Sequence, residues 1–108
     1  MDKISAVIIT YNEERNIARC IESALKVADE IIVLDSYSKD ATADICYRYP
    51  KVRFIERAWE GYSKSKNYAN EQASHNYILS LDADEEVTDE LAHAILKEKR
   101  KFKRGLCL

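Results

Sequence analysis

Glycine and proline are scarce, two and one among 108 residues, which excludes a collagen-like repeat or a low-complexity linker. A basic excess is also missing. Lys and Arg number 17 against 19 Asp and Glu, for a net charge of -2. General nucleic-acid binders carry a strong positive balance, so nucleic acid is not expected as a partner. No apolar run approaches the length needed to span a bilayer. The three cysteines, Cys20, Cys46 and Cys107, are dispersed and form no C-x-x-C pair. That pattern argues against a zinc site or a disulfide framework and fits reduced thiols in the cytoplasm. Met1-Asp2-Lys3-Ile4 leads straight into a strand-like run without the hydrophobic stretch of a signal peptide, so a cytoplasmic location is expected. Neither G-x-G-x-x-G nor G-x-x-x-x-G-K-[ST] occurs, which leaves dinucleotide and P-loop phosphate binding without support.

Apolar types make up 46% of the chain, sufficient for a packed core, and the length fits one domain over residues 1–108. Ser5-Ala6-Val7-Ile8-Ile9-Thr10 and Glu30-Ile31-Ile32-Val33-Leu34 are continuous apolar runs, as in strands covered on both faces. Val52-Arg53-Phe54-Ile55 alternates and suits an edge strand, and Tyr77-Ile78-Leu79-Ser80-Leu81 supplies a fourth. Helical patterns fall between them. Asn12 followed by Glu13 and Glu14 predicts a helix start, carried on by the stripe Ile17, Ile21, Ala24 and Leu25. A second helix is predicted over Ser38–Tyr49, stopped by Pro50, and a third over Ser63–Ala73. Thr88 caps a last one carrying Leu91, Ala92, Ile95 and Leu96. Strict β-α alternation predicts an α/β fold, a Rossmann-like three-layer sandwich of four parallel strands with helices on both faces.

Ligands of such sheets bind beyond the carboxyl ends of the strands. Those ends carry Thr10-Tyr11-Asn12-Glu13-Glu14, Asp35-Ser36-Tyr37-Ser38-Lys39-Asp40 and Asp82-Ala83-Asp84-Glu85-Glu86. In extended backbone Asp82 and Asp84 point the same way, so two hard oxygen donors can face one Mg²⁺ or Mn²⁺, with water and substrate phosphates completing the shell. The competing reading is a solvated loop that charges the start of the last helix. Asp35 suits hydrogen bonds from a base or ribose, or a turn. Tyr11 suits a base face or ordinary packing, and Lys66 a phosphate or a solvated helix face. Trp59 and Tyr62 frame a pocket or cover the core. Cys20 fits a small buried hydrophobe, and His75 and His93 lack ligand spacing. The basic run Lys97–Arg104 suits a helix C-terminus first and an anionic membrane surface second.

Together, residues 5–14, 29–36, 66–69 and 79–85, over a span of about 4–96, resemble the family 2 glycosyltransferases of GT-A fold. Trp59-Glu60-Gly61-Tyr62 with Asp82-Ala83-Asp84-Glu85-Glu86 is most similar to the subgroup that adds sugars to lipopolysaccharide cores. The resemblance implies a strand order 3-2-1-4 and inverting transfer from a nucleotide-diphosphate sugar, commonly a UDP-sugar, to a saccharide or lipid acceptor. It also implies roles. Thr10, Tyr11 and Glu13 line the nucleotide pocket, Asp35 holds base or ribose, and Lys66 lies near base or diphosphate. Asp82 lies at the ribose or metal, and Asp84 ligates Mn²⁺ or Mg²⁺. Intact members extend well beyond the D-x-D, so the expectation here is a donor-binding half that lacks the acceptor half and its base. Two further expectations follow, peripheral association with the inner face of the membrane and self-association through the edge of the fourth strand. A non-catalytic nucleotide-binding or regulatory module is the alternative. A phospho-receiver fits poorly, because Tyr11–Glu14 and Glu56–Ala58 stand where its acids belong.

Overall fold

The computed structural model describes residues 3–98. Four strands and four helices alternate: β1 (Ile4–Thr10), α1 (Ile17–Ala24), β2 (Glu30–Asp35), α2 (Thr42–Cys46), β3 (Val52–Glu56), α3 (Tyr62–Glu71), β4 (Tyr77–Asp82) and α4 (Asp89–Glu98). The strands form one parallel sheet in the order β3-β2-β1-β4. This is the expected α/β architecture and order. The central strands β1 and β2 carry the continuous apolar runs, and the alternating β3 lies at an edge.

Side chains alternate across each strand, and this parity sorts the core into two layers. Ile4, Ala6, Ile8, Ile31, Val33, Leu79 and Leu81 face one side, where Ile17, Cys20, Ile21 and Ala24 of α1, Cys46 of α2, and Ala92 and Ile95 of α4 close over them. Val7, Ile32 and Leu34 face the other side, covered by Ala69 of α3 with Ile55, Tyr68 and Ile78 around it. Three helices thus cover the larger core layer and one the smaller. No helix among the described residues is long and apolar enough to cross a membrane.

Two helices differ from the sequence expectation. Asn12 does not cap α1, for it sits in the left-handed region at φ 53. The Glu13 carbonyl instead accepts the N–H groups of Asn16 and Ile17 at 3.0 and 2.9 Å, so a turn precedes a helix that starts at Ile17. The second helix shrinks to Thr42–Cys46, because Ser38 and Asp40 turn their side chains to backbone groups in place of helical geometry. Thr88 does cap α4, its Oγ1 accepting from the Leu91 N–H at 3.1 Å. Of the basic run, only Lys97 and Glu98 lie within the described residues, and Cys107 lies outside them.

At the opposite, amino-terminal end of the sheet, Glu30 ties the edge together. It accepts from Ser5 Oγ at 2.6 Å and from the Ser74 N–H at 2.6 Å, with Arg53 4.0 Å away. Burial pushes the Glu30 carboxyl up, but these hydrogen bonds and the Arg53 charge together hold it below the ordinary 4.5. A depressed folded pKa means that this contribution is present above the unfolded value and is lost as pH falls through the folded one. Lowering pH below about 4.5 should therefore destabilise the protein, and Glu30→Gln should flatten that part of the profile. Urea midpoints between pH 3 and 7 measure it.

Candidate functional site

The strand register determines what meets at the carboxyl edge. Thr10 lies opposite Asp35, Asp35 opposite Glu56, and Ile9 opposite Asp82, so the strand ends form one rim. Four exposed aromatic side chains stand along it among the described residues. Tyr11 follows β1, Tyr37 lies in the loop after β2, Trp59 lies between β3 and α3, and Tyr62 opens α3. Tyr11, Ser36 and Trp59 line a cavity of about 390 Å³. Gly61 makes the connection into α3 at φ 96 and ψ 156, a conformation nearly confined to glycine. It lets the chain turn from Trp59 directly into Tyr62.

The acids at the rim fall on different faces. Asp82 shares the parity of Ile78 and Ser80 and lies on the α3 side, where the Tyr62 hydroxyl stands 3.5 Å from its Oδ1. Partial desolvation, and then the Asp82 and Glu85 charges, hold the Tyr62 phenol above its ordinary value and therefore protonated. Asp82 and Asp84 are both exposed and the intervening Ala83 is buried, so the two carboxylates reach solvent around an inward-turned residue. The turn is fixed twice. Asp82 N–H donates to Glu85 Oε1 at 2.7 Å, and Glu85 N–H donates to the Asp82 carbonyl at 2.9 Å. Beneath it, the Cys20 thiol lies 3.6 Å from the same carbonyl. Burial, and then the Glu85 and Asp84 charges, push that thiol up to about 12, so it is a packing group and no nucleophile.

No cluster of three or more His, Cys, Asp or Glu able to hold a metal occurs among the described residues. Two exposed carboxylates still suit a hard cation that keeps water and takes phosphate oxygens, so the donor set fits Mg²⁺ or Mn²⁺ bound jointly with a diphosphate. Asp82 and Asp84 would be its protein ligands.

Thr10 and Asp35 are both buried. Asp35 has the parity of Ile31 and Val33, so it points toward α1 and α2 and is fully buried. Its Oδ1 accepts from Thr10 Oγ1 at 2.6 Å and Ser38 Oγ at 2.5 Å, and its Oδ2 accepts from the Ser38 N–H at 2.7 Å. Thr10, 2% exposed, is thus turned inward as well. In this arrangement neither side chain reaches the cavity. Glu13 is half-buried and accepts from Asn16 Nδ2 at 3.3 Å. Lys66 lies on α3 with Nζ 5.6 Å from the Tyr62 ring centre. The cavity adds one residue that carried no role in the sequence reading, Ser36, and gives Trp59 the pocket-framing place of its two options. Parity was the available signal, since Ser36 follows Asp35 and so points to the opposite side.

The chain has known relatives. The model of "Glycosyl transferase family 2" matches residues 5–107. A glycosyltransferase of Rickettsia felis is 43% identical over 95 residues, covering 88% of this chain and 33% of its own length. The lipopolysaccharide core biosynthesis glycosyltransferase LpsC of Rhizobium meliloti is 38% identical over 99 residues, covering 88% of this chain and 36% of its own length. Among solved structures, the glucosyl-3-phosphoglycerate synthase of Mycobacterium tuberculosis, in complex with Mn²⁺, UDP and glucosyl-3-phosphoglycerate, superposes with a TM-score of 0.64 at 26% identity. It covers 76% of this chain and 33% of that one. The chain spans about a third of the length of the curated relatives it matches. With the sheet order, the acid-bearing rim and a family match running over nearly all of its length, the chain belongs to glycosyl transferase family 2.

Proposed function

We propose that this chain forms the donor-binding part of an inverting glycosyltransferase that takes a nucleotide-diphosphate sugar, a UDP-sugar first, for transfer to a cell-envelope saccharide or lipid. The observation that carries the reading is the rim. An apolar cavity with two exposed aromatic walls, Tyr11 and Trp59, shares one sheet edge with two exposed carboxylates, Asp82 and Asp84. A nucleotide sugar presents matching chemistry, with a flat base at one end and an anionic diphosphate at the other.

The base stacks on Tyr11 and Trp59, with the Ser36 hydroxyl available to its polar edge. Asp82 and Asp84 would hold a divalent cation, which when bound would supply neutralisation of the charge developing on the departing diphosphate. The protonated Tyr62 hydroxyl beside Asp82 orients that carboxylate. An acceptor hydroxyl attacks the anomeric carbon from the side opposite the diphosphate. The C–O bond to the sugar forms as the bond to the diphosphate breaks, and a base takes the hydroxyl proton. The reading further places the protein at the cytoplasmic face of the membrane. It also leaves the outer edge of β4, which pairs only with β1 among the described residues, to a further strand of its own or another chain.

An NMR titration with UDP, GDP and CMP, with and without Mg²⁺, tests it. Shifts at Tyr11, Ser36 and the Trp59 indole with UDP, extending to Asp82 and Asp84 when Mg²⁺ is present, are expected. No shift with any of the three nucleotides overturns the proposal.

A further inference from the structure

The loop after β1 and the loop after β2 are stitched together by side-chain-to-backbone hydrogen bonds running in both directions. Three consecutive backbone N–H groups, those of Asn12, Glu13 and Glu14, donate to Ser38 Oγ at 2.7 Å, Thr42 Oγ1 at 2.9 Å and Asp40 Oδ2 at 3.1 Å. In return Asn12 Oδ1 accepts from the Lys39 N–H at 2.8 Å. The acceptors are themselves held. Thr42 Oγ1 donates to Asp40 Oδ1 at 2.5 Å, and Ser38 Oγ donates to the buried Asp35 at 2.5 Å. Asp35 also takes Thr10 Oγ1, the last residue of β1. Each loop moreover contains a residue with left-handed backbone, Asn12 at φ 53 and Tyr37 at φ 57. For tyrosine that conformation is strained and persists only where its surroundings fix it.

We propose that Asp35 and Ser38 are positioning residues. Together they lock the two loops into one unit, and through it set the separation of Tyr11 and Ser36 across the donor cavity without touching the ligand themselves. Ser38 Oγ is the keystone atom, because it accepts from one loop and donates to the anchor beneath both. Asp35 supplies that anchor from the opposite side of the sheet. Tyr11 and Ser36 directly follow the residues it ties together, Thr10 and Asp35 itself. The inference rests on the donor-site reading for its ligand, and on the hydrogen-bond geometry alone for the lock.

Ser38 is half-buried at the surface, so Ser38→Ala removes the keystone with little packing loss, and Ser38→Thr restores the hydroxyl. Two measurements are made on each protein, amide hydrogen exchange without ligand and UDP affinity with Mg²⁺ by calorimetry. In Ser38→Ala, exchange should accelerate at Asn12, Glu13 and Glu14 together. UDP affinity should fall about tenfold, as for loss of a charge-assisted link, with the urea midpoint nearly unchanged and Ser38→Thr close to wild type. A merely structural serine would shift the midpoint and leave affinity intact. Wild-type UDP affinity in Ser38→Ala overturns the inference. If the wild-type protein binds no nucleotide, the donor reading fails and the exchange data decide the lock. Loosening of all three amides supports it, and loosening confined to Asn12 overturns it.

Discussion

Asp84→Ala should weaken Mg²⁺-dependent UDP binding at least tenfold while leaving the fold untouched. Asp84 is exposed on the turn after β4, so truncating it opens no cavity. Its loss leaves Asp82 as the single carboxylate of the pair. Changes to groups that merely support metal ligands already reduce metal affinity roughly 10–100-fold, and removal of a ligand itself should cost no less. The comparison that isolates the effect is calorimetry in Mg²⁺ against excess EDTA. Wild type should lose affinity on chelation, and Asp84→Ala should begin at the chelated value and not respond. Asp84→Asn, which keeps the shape and one oxygen, should fall between the two. A variant that still answers to Mg²⁺ with wild-type strength would remove Asp84 from the site. Asp82 makes a poorer first target, since its side chain meets Tyr62 and its backbone closes the turn with Glu85.

The second large effect concerns the scaffold. Ile8 lies on the central strand, fully buried, between Val33 of β2 and Leu81 of β4 in the register, under the larger helical layer. Ile8→Ala removes methylenes from the centre of that layer, where neighbours on both sides are pinned by the ladder and cannot collapse into the space. The expected loss is about 2–5 kcal/mol. Against a total stability of about 5–15 kcal/mol for a domain, that is a large part of the margin. Leu91→Ala, on the exposed side of α4, should stay within about 0.5 kcal/mol. Urea unfolding followed by far-UV circular dichroism measures both. Equal midpoints for the two variants would contradict the layer assignment.

Much of the fold was legible in the amino-acid sequence because burial writes itself into apolar runs. Each strand ends within one residue of its expected bound, and the strand order followed from the family resemblance. Helix starts were less legible. Asn12-Glu13-Glu14 has the composition of a helix N-terminus, yet the backbone N–H groups of these residues join one loop to another, a tertiary use that local pattern does not distinguish. Ser38, Asp40 and Thr42 likewise have the look of an early helix and are engaged with the neighbouring loop. At the site, Tyr11 lines the cavity and Asp82 and Asp84 are exposed. Asp35 is buried and closes a turn with Ser38, the second of its two sequence options, because an acid at a strand end looks the same whether it faces a ligand or the core. Only strand parity separates it from Ser36.

That parity ties chemistry to architecture in a way that limits how the protein can diverge. In β4, Tyr77, Leu79 and Leu81 turn toward the larger core layer while Ile78, Ser80 and Asp82 turn to the other side. A one-residue insertion or deletion upstream within the strand would exchange the two sets, turning the acid into the larger core layer and the leucines out of it in a single event. Length changes in this lineage should therefore be tolerated in the connections between elements and purged from the strands. A gain of new specificity would have to come from substituting residues along the rim, not from sliding them.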